Sequence, residues 1–383
     1  MFDFKLLKNI DWITILLVLA LFCFGLVSIA SIMATPFEGD EASISDYIEK
    51  LNLLYVQRQA INFMVGVAAF LVMIVLDYSV FKVLGKYAYG IMLGLLLILF
   101  AVEATRGVQG WFIIGGDRAI QPGELCKICI VIILSKVVSE SMDQNGGRLK
   151  GIKTVAIAVL LCAVPTVLTM LQPDFGTAFV YICIMVFIFF LARIGWGYIL
   201  LAGGLAAAGL PLAYFYIMND EQKKRIDVFL DPSLDPLDKG YNVAQSKIAI
   251  GSGQLTGKGF FTSGTLAQLR FVPERHTDFI FAGIVEGVGF IGGMIIIVLY
   301  FALIFRWLWI AIRARDNFGY CMVVGVMGML LAHVFENIGM TIGLMPVTGI
   351  PLPFISYGGS NLLTNMVGVG IVENVWMRRP MKR

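Results

Sequence analysis

The chain has 383 residues, 58% of them hydrophobic and 14% charged. A soluble domain carries about 25% charged residues, so this composition excludes an ordinary soluble protein. The net charge of +3 is too small to point to nucleic acid as a partner.

The N-terminus runs "MFDFKLLKNIDWITILLVLALFCFGLVSIASI". Lys5 and Lys8 precede about twenty apolar residues, enough to cross a bilayer. No small-residue cleavage site closes a short apolar core, so this first helix is expected to be retained. Further apolar runs predict an all-α polytopic membrane protein with about ten transmembrane helices. They lie near 12–33, 56–76, 81–102, 122–139, 152–171, 174–192, 197–217, 279–305, 318–344 and 355–376, in a single membrane domain over residues 1–383. Between the fifth and sixth, Pro173 and Gly176 of "LQPDFGTAF" predict a tight turn at the membrane edge and not a kink in one long helix.

The basic residues alternate with this count. Lys5, Lys8, Lys82, Lys86, Lys136, Arg148, Lys150, Lys153, Arg193, Arg306, Arg313, Arg315, Arg378, Arg379, Lys382 and Arg383 fall on one side. The other side has an acidic first loop with Glu38, Asp40, Glu41, Asp46 and Glu49, and then only Arg106 and Arg118. The positive-inside rule therefore puts both termini in the cytoplasm and residues 218–278 in one large extracytoplasmic loop. In that loop Pro232 and Pro236, each after an aspartate, mark turns. "YNVAQSKIAIGSGQLTGKGF" predicts a helix along the membrane interface, with Tyr241, Ala244 and Ile248 on one face and Gln245 and Lys247 elsewhere. Gly251, Gly253, Gly257 and Gly259 predict a flexible, tightly turned loop after it.

The six cysteines lie in apolar surroundings. Cys126 and Cys129 form a C-x-x-C inside an apolar helix with no second pair, and His276 and His333 are the only histidines. A zinc site needs four ligands, so packing is the expected role of these cysteines.

Ionisable residues at or inside a span are costly and mark function by default. Glu124 and Lys127 of "QPGELCKICIVIIL" share a helical face. They read either as a pair that neutralises itself near the interface or as an anion site, with Lys127 surface-facing and Glu124 positioning it. Pro122 suits a helix start there, and a helix start favours anions. Asp174 is expected to cap the sixth span, with direct chemistry the lesser reading. Lys247, Lys258, Arg270 and Arg275 give the glycine-rich outer loop a basic character that suits phosphate or pyrophosphate, or simply a solvated loop near headgroups. His333 and Glu336 in "LAHVFENIGM" are expected to be a mutually satisfied buried pair. The last outer loop, "LMPVTGIPLPFISYGGSNLLT", is rich in proline and glycine, so at membrane depth it must be buried in protein or line a cavity. "PERHTDFIF" (273–281) sets Glu274, Arg275, His276 and Asp278 directly before the eighth span. These segments together point to an anionic, lipid-linked substrate at the outer leaflet, without separating enzyme from transporter.

Five stretches, in order, carry a resemblance: "QPGELCK", "QPDFGTAF", "GYNVAQSKIAIGSGQLTGKGF", "GTLAQLRFVPERHTDFIFAGIVE" and "LMPVTGIPLPFISYGGS". The chain resembles the SEDS proteins (shape, elongation, division and sporulation), and their elongation branch more than their division branch. The resemblance implies a ten-span peptidoglycan glycosyltransferase of the bacterial cytoplasmic membrane. It would polymerise lipid II on the outer face and work with a class B penicillin-binding protein. The family's essential aspartate falls on Asp278, and its other important polar positions fall on Glu124, Lys127 and Glu274. Glu274, Arg275, Asp174, Lys247, Gln245 and Ser356 are the expected substrate-binding residues. The chemistry fits this picture. A sugar hydroxyl needs a carboxylate to take its proton, here Asp278. The departing pyrophosphate needs cations, with Lys127 and Arg275 as candidates. No cofactor is assigned; a divalent cation is compatible, but no dedicated ligand cage is visible. The chain departs from the family at Gln109 and Gly110 before Trp111, at Gly123, and at Gly287 after Glu286. A lipid II flippase, or the division or sporulation paralogue of the same family, is the alternative, and a scaffold without chemistry the third reading.

Overall fold

An apolar run in lipid has no water to satisfy its peptide groups, so each run must close its hydrogen bonds within itself as a helix. The computed structural model follows that rule. It describes residues 4–34, 53–102, 110–113, 119–216, 218, 220–235, 239–260, 262, 265–269, 271–272 and 274–380. The acidic first loop, Arg106, Gln109, Arg118, Pro236, Arg270, Lys382 and Arg383 lie outside the described residues.

Among the described residues, ten long helices correspond to the ten expected spans. They are α1 (Trp12–Ile32), α2 (Leu53–Val75), α3 (Ser79–Ile98), α4 (Pro122–Gln144), α5 (Ile152–Leu171), α6 (Phe175–Leu191), α7 (Trp196–Tyr216), α10 (Ile280–Ile312), α11 (Asn317–Ile342) and α12 (Gly359–Met377). Two shorter helices, α8 (Asp220–Leu230) and α9 (Lys239–Ser252), lie in the long polar segment between α7 and α10. A two-residue hairpin, Phe112–Ile113 against Ala119–Ile120, precedes α4. Among the described residues, seven helices are long and apolar enough to cross a membrane by length and composition alone. The other three are α4, α6 and α12. α6 is short, at 17 residues. α4 and α12 are long enough but carry Glu124, Lys127, Asn361, Asn365, Glu373 and Asn374, all buried, so their polarity faces protein and not lipid.

α11 is the hub of the bundle. It packs against α4, α6, α9, α10 and α12, and 78% of its most apolar stretch is buried. Small residues permit this crowding. A Cβ on Gly328 would meet Phe187 Cβ at 2.7 Å. The Asp316 carboxylate caps the start of α11 by accepting from Gly319 N at 2.8 Å, and Gly343 ends it in the left-handed conformation. α7 is the opposite case, with none of its most apolar stretch buried. Asp174 caps α6 as expected, accepting from Thr177 N at 3.1 Å after the turn at Pro173.

The glycine loop after α9 is not loose. α10 breaks at Gly289 (φ 71°, ψ −174°), which frees backbone groups inside the helix. The loop supplies their partners: Phe290 N donates to Gln254 O at 2.8 Å, and Ile291 N to Leu255 O at 3.1 Å. In return, Lys258 N donates to Glu286 O at 3.0 Å and Gly259 N to Gly287 O at 2.8 Å. Gly257 has φ +78°, and a Cβ there would stand 2.2 Å from Gly287 O. The glycines thus serve close backbone contact with a broken helix, which the expectation of a flexible loop missed. α9 itself buries Val243, Ser246 and Ala249 against α10 and α11 and leaves Ala244 and Ile248 exposed. That outward face is the one expected to meet the interface.

Candidate active site

The turn over residues 274–279, just before α10, is fixed on its backbone from three directions. Within it, Thr277 N and Phe279 N donate to Glu274 O at 3.1 and 3.2 Å, and the Thr277 hydroxyl donates to Glu274 Oε2 at 3.2 Å. From the last loop, Tyr357 N donates to His276 O at 2.9 Å and the Ser356 hydroxyl to Thr277 O at 2.6 Å. From α11, Asn337 Nδ2 donates both to Asp278 O at 2.8 Å and to Ile350 O at 2.7 Å. The Asp278 side chain is left half-exposed against Gly349, whose missing Cβ would stand 3.5 Å from Asp278 Oδ2. Glu274 and Arg275 are half-buried in the same turn. The His276 ring stacks edge-on to Tyr55, with centroids 5.1 Å apart, and lies 5.6 Å from Tyr357.

Ser356 therefore has a different part from the expected substrate contact. Its hydroxyl donates to Thr277 O and accepts from Leu352 N at 2.8 Å, so it is spent inside the protein. Its carbonyl accepts from the buried Gln59 side chain at 3.0 Å, and Gln59 also receives Gly358 N at 3.2 Å. These ties hold the proline-rich loop against the Asp278 turn.

A second cluster lies at the start of α4. Lys127 was expected to face the surface; its side chain is in fact 0% exposed. The ammonium sits 2.7 Å from Glu124 Oε1 and 2.7 Å from His333 Nε2. Lysine only donates, so Nε2 accepts and the ring proton lies on Nδ1. Glu124 Oε2 receives Asn361 Nδ2 at 3.4 Å. Asp174, beside this pair, accepts from Gln121 Nε2 at 2.8 Å. His333 and Glu336 do not satisfy each other, contrary to expectation. His333 is turned to Lys127, while Glu336 lies near Lys127, Asp174, Glu124 and the Thr348 hydroxyl. Neither Glu336 oxygen, nor His333 Nδ1, forms a hydrogen bond among the described residues. The cluster gathers three carboxylates around one lysine.

The remaining expected residues fall elsewhere. Lys258 does not stand ready for phosphate: it pairs with Glu286 at 2.7 Å, and Glu286, fully buried, also accepts from Leu266 N at 2.8 Å and Ala267 N at 3.1 Å. Those bonds tie the glycine loop and the 265–269 turn to α10. Lys247 is exposed at the rim of a shallow depression lined by Arg225, Phe229, Met345 and Val347. Gln245 is half-buried on α9 and hydrogen-bonds neither cluster among the described residues. Among these residues, no group of three or more His, Cys, Asp or Glu side chains is arranged to hold a metal ion. Asn337 was missed by sequence reasoning; a polar side chain deep in an apolar span was the signal for it.

A polytopic helical bundle with a fixed, half-exposed carboxylate at one end and a buried lysine–carboxylate cluster behind it defines a multi-pass membrane protein with a polar site. The chain belongs to the FtsW/RodA/SpoVE family of cell cycle proteins, whose family model matches residues 11–380. It is 40% identical over 326 residues to the peptidoglycan glycosyltransferase MrdB of Escherichia coli, covering 85% of this chain and 86% of that one. Among solved structures, it matches a chain of a peptidoglycan synthase complex that coordinates polymerisation and crosslinking. That match has a TM-score of 0.78 at 27% identity and covers 96% of this chain and 97% of the other. The rod shape determining protein RodA of Thermus thermophilus matches with a TM-score of 0.69 at 25% identity, over 97% of this chain and 98% of that one.

Proposed function

We propose that this protein is a peptidoglycan glycosyltransferase that polymerises lipid II during cell elongation, at the outer face of the cytoplasmic membrane. The observation that carries it is the Asp278 turn: a half-exposed carboxylate whose backbone is pinned by α11 and the last loop while its side chain stands against Gly349. Such a carboxylate can take the proton of an acceptor sugar hydroxyl as its oxygen bonds to the donor's anomeric carbon. The bond from that carbon to the polyprenyl pyrophosphate breaks, and the pyrophosphate leaves with the electron pair. The configuration inverts in this single displacement. Arg275, in the same turn, meets the departing charge, and Glu274 shapes the turn through its bonds to Thr277 and Phe279. Lys127, held by Glu124, supplies fixed positive charge behind the site, where low dielectric makes it felt. Lys247, Gln245 and Asp174 are placed further out or deeper and act on substrate orientation. The apolar helices hold the polyprenyl tails and raise the effective concentration of both sugars. A class B penicillin-binding protein crosslinks the product, and the likeness to a synthase complex supports that pairing.

Purified protein with that partner and labelled lipid II tests this directly. The wild type is expected to yield glycan polymer, and Asp278→Ala to lose at least about a hundredfold in rate. Polymer from Asp278→Ala at the wild-type rate would remove Asp278 as the base. Transfer of lipid II across vesicles without polymer would identify a flippase instead.

A further inference from the structure

α11 touches both halves of the site through two buried side chains that no proposed chemical step uses. His333 accepts from the Lys127 ammonium at 2.7 Å, and Asn337 grips the Asp278 and Ile350 carbonyls at 2.8 and 2.7 Å. Both are 0% exposed. They are four residues apart, so they share a helix face and lie about 6 Å apart along the axis. α11 is capped at both ends and carries no proline, so that spacing is rigid.

We propose that α11 is the common mount of the site: His333 is a positioning residue for Lys127, and Asn337 is one for Asp278. This rests on the reading of Asp278 and Lys127 as the reacting machinery. The chemistry of His333 suits the task. Lys127 already has three carboxylates around it, and a neutral imidazole accepts a hydrogen bond from one of its three N–H groups without adding a further negative charge. Glu124 takes another from the opposite side. The ammonium is thereby held between α4 and α11, at a height set by the same helix turn that fixes the Asp278 backbone. The alternative is that His333 only fills space in the core. A space-filler would be replaceable by any side chain of its volume, and its effect would not depend on Lys127.

The test is a double-mutant cycle in the reconstituted polymerisation assay, with melting temperatures measured in detergent on the same samples. His333→Leu keeps the volume and removes the acceptor. It is expected to lower kcat about tenfold or more while KM for lipid II stays within about threefold. His333→Gln restores an acceptor and is expected to recover most of that loss. In a Lys127→Met background, His333→Leu should change the rate by less than about twofold, because the group it acts through is gone. Asn337→Asp, which keeps the shape but loses the double donor, should lower kcat about tenfold with lipid II affinity held. His333→Leu at the wild-type rate, or His333→Leu cutting the Lys127→Met rate again by its full factor, would overturn the role of His333. An unimpaired Asn337→Asp would overturn that of Asn337. Failure of the wild type to polymerise would sink the proposed activity and not this pairing, which the melting cycle reads by itself. Coupled losses for Lys127→Met and His333→Leu support the pairing, and additive losses refute it.

Discussion

Two clusters of charge sit at opposite ends of the bundle and are built in opposite ways. The first joins the N-terminus of α1 to α10 and α12. There the Asp11 carboxylate takes Arg306 in a two-pronged pair, Nε at 2.8 Å and NH2 at 2.5 Å, and also caps Thr14 N at 3.3 Å and its hydroxyl at 2.7 Å. Asp11 N in turn donates to Glu373 at 3.0 Å. Arg306 lies 4.2 Å from the Trp309 ring, Arg313 lies 3.4 Å from the same ring, and Arg379 lies 3.5 Å from Trp376. Three guanidinium groups outnumber two carboxylates. Planar cations on indole faces are partly desolvated at low cost, and their forks match carboxylate geometry. The second cluster, Glu124, Lys127, Asp174, His333 and Glu336, has acids in excess, one cation, and polar atoms without hydrogen-bond partners among the described residues. Native interiors satisfy their polar groups, and exceptions need a reason. Glu373 Oε1 in the first cluster also lacks a hydrogen-bond partner among the described residues, so the contrast lies in charge balance: a cation-rich cluster clamps helices, and an acid-rich one around a single lysine is kept for what it does.

Substitutions at the two ends can break that contrast. The largest effect is expected at Lys127. Removing it as Lys127→Met strands Glu124 in the core, and breaking a buried pair from one side costs about 3–5 kcal/mol. Thermal unfolding in detergent should show this as a large loss, with the polymerisation rate per folded molecule lowered about a hundredfold but still measurable. The double change Glu124→Leu with Lys127→Met should regain much of the stability and none of the activity, because two apolar side chains replace a buried ion pair without an orphan. A surface-facing lysine, as the sequence suggests for Lys127, would be removable without harm to the fold; its burial reverses that. At the other end, Arg306→Ala should cost roughly 2–3 kcal/mol, since the mostly buried Asp11 loses its charged partner but keeps its bonds to Thr14. Its polymerisation rate per folded molecule should match the wild type. A fall in that rate would show that the N-terminal cluster is more than a clamp. The smallest effect is acid. Burial pushes the Asp11 carboxyl up, but Arg306 and Thr14 together hold it below its ordinary value of 3.8. A carboxyl lowered in the folded state stabilises above its unfolded value and loses that contribution as pH falls through the folded one. Melting temperatures should therefore drop modestly below about pH 4, and Asp11→Asn should remove this part of the drop. The contribution is discounted because the pair is partly exposed.

Much of this was legible in the chain. The span boundaries follow the apolar runs closely, because the demand for internal hydrogen bonds in lipid is local and overrides weak propensities. The eighth span differs most: it was expected to end near 305, and α10 continues to Ile312 through a break at Gly289. That break was hidden because its hydrogen bonds are repaired by a loop more than thirty residues upstream, which no periodicity reports. The Asp174 cap was readable, since a cap is a bond between neighbours. The partner of Lys127 was only half readable. Glu124 is one turn away on the same helix, but His333 is 206 residues distant. Ser356 is expected as a substrate contact and Lys258 as part of a phosphate-suited loop, and their hydrogen bonds to Thr277 and Glu286 were not legible because those partners come from other elements.

The sequence by itself determined the apolar runs that give the crossings, the charge bias from which an orientation is expected, and the titratable turn around Asp278. Each of these rests on composition or on spacing within one element. Only the tertiary structure decided which polar groups meet. α11, crowded on five sides, brings His333 to Lys127 and Asn337 to Asp278. In a bundle whose apolar surfaces are nearly interchangeable, close packing of small residues sets the register between helices, and that register chooses the partners.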